Sequence, residues 1–318
     1  MESRRSAIGR KALIAFARVA VAGVLLFALF QFIHPHDLVA AFERAKPAYV
    51  AFGLVTGFIS LALRYLKWRL LVRSTFPGAG HPELFHSFLA GLTLGAATPG
   101  EIGELGGRAL PFHSDWLAQI VGLSVLDRSQ TFLTTVLFGL PAMGFVFIPS
   151  LPFQWPLALL CLLVVTAVYV KLHEVGSFLR RAAKRFMDRP WLVRTLDSFS
   201  LSHRETVGRS FLYNLGIQGV LLVQIYFFLN AFSPTPFANA AVGYSAVMLM
   251  KSVVPISLGD LGVRESSAVI VFRRLELPDV TALSASLLVF AVNVVLPAVV
   301  GAALVPMRRK KTVSNSTR

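Results

Sequence analysis

The chain has 318 residues, of which 55% are hydrophobic and 15% charged, with a mean hydropathy of +0.66 and a formal net charge of +15. Soluble domains carry about 25% charged residues, so this composition excludes a soluble globular protein and indicates an all-α polytopic membrane protein. The positive charge does not point to nucleic acid, because the Lys and Arg lie at the edges of apolar runs, where they set topology.

Arg4, Arg5, Arg10 and Lys11 precede the first apolar run, Leu13 to Phe32. That run exceeds the roughly 7–15 apolar residues of a signal peptide and is read as a retained span. Five further runs approach the roughly 20 residues needed to cross a bilayer: Tyr49 to Leu71, Ala118 to Phe147, Trp155 to Val170, Phe211 to Phe232 and Thr281 to Val305. Two others, Leu84 to Ala97 and Ala240 to Val254, are too short to span. Arg64, Lys67 and Arg69 around Trp68 read as snorkelling residues with an aromatic anchor at the interface. Cys161, the single cysteine, lies in an apolar run and reads as a buried small hydrophobe. The histidines show no ligand spacing, so neither metal nor cofactor is expected.

Both short stretches run into copies of one eleven-residue segment, Thr98 to Arg108 and Val254 to Arg264. Pro99/Pro255, Gly103/Gly259, Leu105/Leu261, Gly106/Gly262 and Arg108/Arg264 are identical, and Ile102/Leu258 and Glu104/Asp260 are similar. Helix breakers and charges stand together at membrane depth, where such backbone is tolerated only if protein surrounds it or it lines a cavity.

Placing the basic clusters inside decides the topology. If each motif is the tip of a re-entrant hairpin, the N-terminus, the Arg64 to Arg73 cluster, the Lys171 to Arg209 loop and the tail Pro306 to Arg318 all face the cytoplasm. The expected architecture is six transmembrane helices plus two re-entrant hairpins, within one membrane domain. Its halves, about Ala12 to Phe147 and Trp155 to Val305, are inverted because an odd number of spans separates the motifs. Secondary transporters built this way bind substrate near the midplane, where broken helices meet.

Pro99, Gly100 and Pro255 break the helices, and the following half-helices present amides and Arg108 and Arg264 to an anion such as phosphate. Glu101, Glu104, Asp127, Asp260 and Glu265 oppose Arg108, Arg128, Lys251 and Arg264. The i,i+4 pairs Glu104–Arg108 and Asp260–Arg264 either neutralise one another or serve a substrate, proton or ion, and both readings stay open. Asp127-Arg128 interrupts a span, and Lys251 is a lone cation near the second tip.

Arg64-Tyr65-Leu66-Lys67-Trp68-Arg69-Leu70-Leu71, Thr98 to Glu104, Asp127-Arg128 and Gly259 to Glu265 resemble, in order, the motifs of the lysylphosphatidylglycerol synthase transmembrane-domain family. That family includes the flippase domain of bacterial multiple peptide resistance factors, inner-membrane relatives, and archaeal proteins assigned as dolichol-linked glycosyltransferases. The resemblance implies a bacterial inner-membrane protein that moves phospholipid or lipid-linked phosphate between leaflets, with both termini cytoplasmic. It also implies a separate lipid-modifying enzyme as a partner. The family's synthases add an aminoacyl-transferase domain for which no room remains after Arg318, so lysyl transfer is not expected of this polypeptide alone. A polytopic glycosyltransferase is the rival enzyme reading, weakened by the absence of an Asp-x-Asp motif and of a large loop. An ion-coupled transporter of a small solute and a scaffold are the others.

Overall fold

The computed structural model describes residues 35–98, 100–148, 156, 158–168, 171, 181, 195, 204–253 and 260–304, and all regular structure among them is helical. The expected span Leu13 to Phe32, most of the loop Lys171 to Arg209, and the tail lie outside the described residues, as do Pro99, Pro255 and the rest of 254–259.

In chain order the helices are α1 (Pro35–Glu43), α2 (Pro47–Thr75), α3 (His81–Ala96), α4 (Gly103–Gly107), α5 (Leu117–Phe147) and α6 (Ala158–Val168). There follow α7 (Arg204–Phe232), α8 (Phe237–Val253), α9 (Val263–Arg274), α10 (Asp279–Phe290) and α11 (Leu296–Leu304). Four segments are long and apolar enough to cross a membrane: α2, Ser114–Phe147, Glu205–Phe232 and Asp279–Leu304. They coincide with four of the six expected spans. The run Trp155 to Val170 is described only in part, as α6. With 16 residues, α3 reaches about 24 Å at 1.5 Å per residue. That is short of the roughly 30 Å of a hydrocarbon core; α8 is described over 17 residues.

The returning arms differ. After the second motif α9 continues to Arg274, but after the first α4 ends at Gly107 and the chain proceeds in turns. Pro111 explains the early stop, since its ring collides with the carbonyl four residues back, at Gly107. Between α10 and α11, Ala291–Val295 widens into a π turn. The cause is the same, because Pro297 stands four residues after Asn293.

The packing is matched between two sets of helices. α2 lies along α7, α5 along α8, and α11 along α3, and each short arm packs on its own partner, α3 with α4 and α8 with α9. One apolar core gathers around Trp68, Leu84, Phe88 and Leu123, the other around Phe228, Tyr244, Val247 and Phe272. Without a hydrophobic drive in lipid, helices approach through small residues. Gly139 of α5 faces the Ser245 carbonyl and Leu249 of α8, while Gly301 of α11 faces the Leu89 carbonyl and Thr93 of α3. Leu89 and Thr93 precede the first motif by the same intervals as Ser245 and Leu249 precede the second.

A methyl on Gly301 would stand 2.8 Å from the Leu89 carbonyl oxygen and 2.2 Å from Thr93 Oγ1. Gly301→Ala is therefore expected to destabilise by about 1–3 kcal/mol, read as a lower unfolding temperature in detergent. Gly106→Ala, whose methyl meets no atom within 4 Å, is expected to leave that temperature unchanged or raise it; equal losses in both variants would refute the packing.

Candidate functional site

The two motif tips turn through backbone conformations that few side chains adopt. Gly100 and Glu101 have φ of 58° and 54°, and Asp260 and Gly262 of 62° and 87°. Positive φ in a non-glycine residue costs free energy and concentrates at functional sites. One amide at each tip is held by a nearby side chain: Gly103 N donates to Thr98 Oγ1 at 2.6 Å, and Gly262 N to Glu265 Oε2 at 2.7 Å.

A cavity of about 340 Å³ opens between these tips, with α2, α5, α7, α8 and the π turn completing its wall. Through it runs a chain of charges of alternating sign. Lys67 Nζ meets Asp127 Oδ1 at 2.5 Å, and Asp127 Oδ2 accepts from Arg108 Nη1 at 2.7 Å. Arg108 Nη2 then pairs with Glu104, whose second oxygen accepts from Arg128 at 2.5 Å. Arg128 also meets Glu101 Oε2 at 2.6 Å and donates to the carbonyls of Gly100 and Glu101 at 3.2 and 3.1 Å. Lys251 lies within electrostatic range of Glu101 and is held by Asp260 Oδ2 at 2.6 Å. The sequence Lys67, Asp127, Arg108, Glu104, Arg128, Glu101, Lys251, Asp260 is neutral, which is how charges survive in a low-dielectric interior.

Neutral groups hold the frame in place. Lys67 Nζ also donates to Asn214 Oδ1 at 2.7 Å and Thr131 Oγ1 at 3.2 Å. The Arg108 guanidinium stacks 4.3 Å from the Trp68 ring, whose Nε1 donates to Ser87 Oγ at 3.1 Å. Ser87 in turn donates to the Arg108 carbonyl at 2.6 Å.

Of the residues expected at the site, Gly100, Glu101, Glu104, Arg108, Asp127, Arg128, Lys251 and Asp260 line the cavity. Pro99 and Pro255 lie outside the described residues. Arg264 and Glu265 are buried but are not in the lining; Arg264 stacks 4.8 Å from Phe290 and its Nε meets Glu265 Oε1 at 3.2 Å. Glu104 and Arg108 form the expected i,i+4 pair. The Asp260 side chain instead takes Lys251, because its left-handed φ places it in the turn before α9 rather than on that helix.

The interfacial reading of the Arg64 cluster is corrected. Trp68 is fully buried and Lys67 is 3% exposed, and both Arg64 and Lys67 face the cavity. Asn214, Gln218 and Asn293 also line it without having been singled out. Asn214 and Gln218 stand four apart on α7, and Arg64 and Lys67 three apart on α2, spacings that put each pair on one helix face.

Asp127 serves two buried cations, so Asp127→Asn is expected to cost about 3–5 kcal/mol and to broaden or abolish cooperative unfolding in detergent. Glu101, whose side chain is 31% exposed, sits at the rim. Glu101→Gln is expected to cost under about 1 kcal/mol, and the reverse order of the two losses would contradict the network.

The model of the family described as the lysylphosphatidylglycerol synthase transmembrane (TM) region matches residues 15–301. A "UPF0104 membrane protein" of Methanothermobacter thermautotrophicus strain Delta H is 26% identical over 204 residues, 60% of this chain. The chain spans 57% of that relative's length. On the match over residues 15–301, with charged motifs gathered in one cavity among apolar helices, the chain belongs to the lysylphosphatidylglycerol synthase transmembrane-region family.

Proposed function

We propose that the chain is a lipid translocase of the inner membrane, with cytoplasmic termini, which moves a phospholipid or lipid-linked phosphate between leaflets. The observation that carries this reading is the cavity itself: charged groups of both signs surround about 340 Å³ among helices of membrane-spanning length. Cavities from about 300 Å³ upward accept small ligands. This one suits a polar headgroup, while acyl chains remain in the bilayer.

Two inverted halves, about 12–147 and 155–305, would supply the moving parts; their described elements include α2, α3 with α4, and α5 in the first, and α7, α8 with α9, and α10 with α11 in the second. Their matched packing supports the repeat, and the short α3 supports a re-entrant hairpin rather than a full span. The expected spans Leu13 to Phe32 and Trp155 to Val170, which fall wholly or partly outside the described residues, would bring the four spans to six. The cleft wall consists of Gly100, Glu101, Glu104, Arg108, Asp127, Arg128, Lys251 and Asp260. Arg264 and Glu265 brace α9. No lipid modification is asked of the chain; a separate enzyme would supply the headgroup.

Reconstitution into liposomes containing fluorescent phospholipids or polyprenyl phosphates tests the proposal. Leaflet exchange of at least one lipid class is expected to exceed that of empty liposomes severalfold. Exchange equal to empty liposomes across the whole panel would overturn it.

A further inference from the structure

The eight-residue charge chain is internally neutral, and its members are committed to one another. Arg64 is different. It lines the same cavity, half-buried, and no carboxylate among the described residues pairs with it. The groups within its electrostatic range include Lys67 on its own helix and Tyr244 on α8. The cavity lining thus holds one positive charge more than its carboxylates balance, and that charge belongs to the residue best shaped to clasp a phosphate with two parallel hydrogen bonds.

Two buried amides complete the picture. Gln218 is 6% exposed, and its Nε2 has no hydrogen-bond partner among the described residues. Asn293, in the π turn, is 4% exposed, and its Oδ1 has none either. The orientation of Asn293 is forced. Gln224 Nε2 donates to the Gly53 carbonyl at 3.2 Å, so Gln224 Oε1 is the acceptor for Asn293 Nδ2 at 2.8 Å. Asn293 Nδ2 also donates to the Val289 carbonyl at 3.2 Å. That leaves an oxygen, an acceptor, as its uncommitted atom. A buried polar atom without a partner costs about 1–3 kcal/mol, so two such atoms beside an arginine that no described carboxylate pairs call for a ligand that satisfies all three together.

We infer that Arg64, Gln218 and Asn293 are the ligand-reading groups of the cavity. They select a phosphate ester that carries a hydrogen-bond donor, a hydroxyl or an ammonium, beside the phosphate. Arg64 and Gln218 Nε2 take the phosphate oxygens and Asn293 Oδ1 takes the donor, while the neutral charge chain forms the wall. The inference rests on the reading of the cavity as a headgroup site.

The test is binding to the full chain in detergent, by calorimetry, of short-chain phosphatidylglycerol, short-chain phosphatidylcholine and free glycerol phosphate. Phosphatidylglycerol, with headgroup hydroxyls, is expected to bind roughly tenfold more tightly than phosphatidylcholine, which has no headgroup donor. Asn293→Leu is expected to bring the two within about twofold, a hydrogen bond's worth of discrimination. Arg64→Gln is expected to weaken both by roughly ten- to a hundredfold. Its unfolding temperature should not fall, because no carboxylate loses a partner. Should Asn293→Leu fail to fold, Gln218→Met, which loses affinity for both lipids alike, carries the test.

Equal affinity of the wild type for the two lipids, or unchanged affinity in Arg64→Gln, would overturn the inference. Free glycerol phosphate binding as tightly as the short-chain lipid would leave these three contacts standing and overturn the lipid reading beneath them. Leaflet exchange without headgroup discrimination would do the reverse.

Discussion

Charge at membrane depth must be compensated locally, and this constraint organises the molecule. Asp127 of α5 is the pivot: it accepts from Lys67 of α2 on one side and from Arg108, just beyond α4, on the other. From there the alternation runs through Glu104, Arg128 and Glu101 to Lys251 and Asp260 at the second tip. The links tie α2 to α5, α5 to the first tip and α4, and α8 to the second tip. The ionic chain therefore fixes where α2, α5 and the two broken hairpins stand relative to one another, while glycines set how closely they approach. A buried pair of this kind gains little over apolar packing but is costly to break, which suits a frame that must keep one geometry around a polar space.

Much of this frame is legible in the sequence. The duplicated breaker-and-charge segment and the interruption of a span by Asp127-Arg128 name most of the chain's members, because such residues are too expensive in lipid to be incidental. The apolar runs match four helices of spanning length. What sequence reasoning misjudges is sidedness. Arg64, Lys67 and Trp68 fit the interfacial pattern, yet Lys67 and Trp68 are buried, since a basic residue one turn inside a span looks the same whether it faces headgroups or a cavity. Asn214, Gln218 and Asn293 escape notice for a related reason: isolated amides within apolar runs carry no periodic signal, and only the fold brings them to one wall.

The two motif copies also diverge more than their sequences indicate. Pro111 stops the first returning arm after α4, whereas α9 runs to Arg274. Arg108 joins the cavity network, while Arg264 is turned to Phe290 and Glu265. Asp260, equivalent to Glu104, lies in a left-handed turn instead of a helix and pairs with Lys251. Similar residues thus perform unequal tasks, and the cavity presents chemically different faces to its two sides.

The central claim, that one neutral ionic chain holds the cavity together, is tested most directly by a double-mutant cycle on its buried end. Lys67→Met, Asp127→Leu and the combined variant would be compared with the wild type by unfolding in detergent. The combined change removes a plus and a minus together and leaves Arg108, Glu104, Arg128, Glu101, Lys251 and Asp260 balanced. Each single variant should then lose about 3–5 kcal/mol, and the double variant should recover most of that loss. Losses that simply add in the double variant would contradict the account.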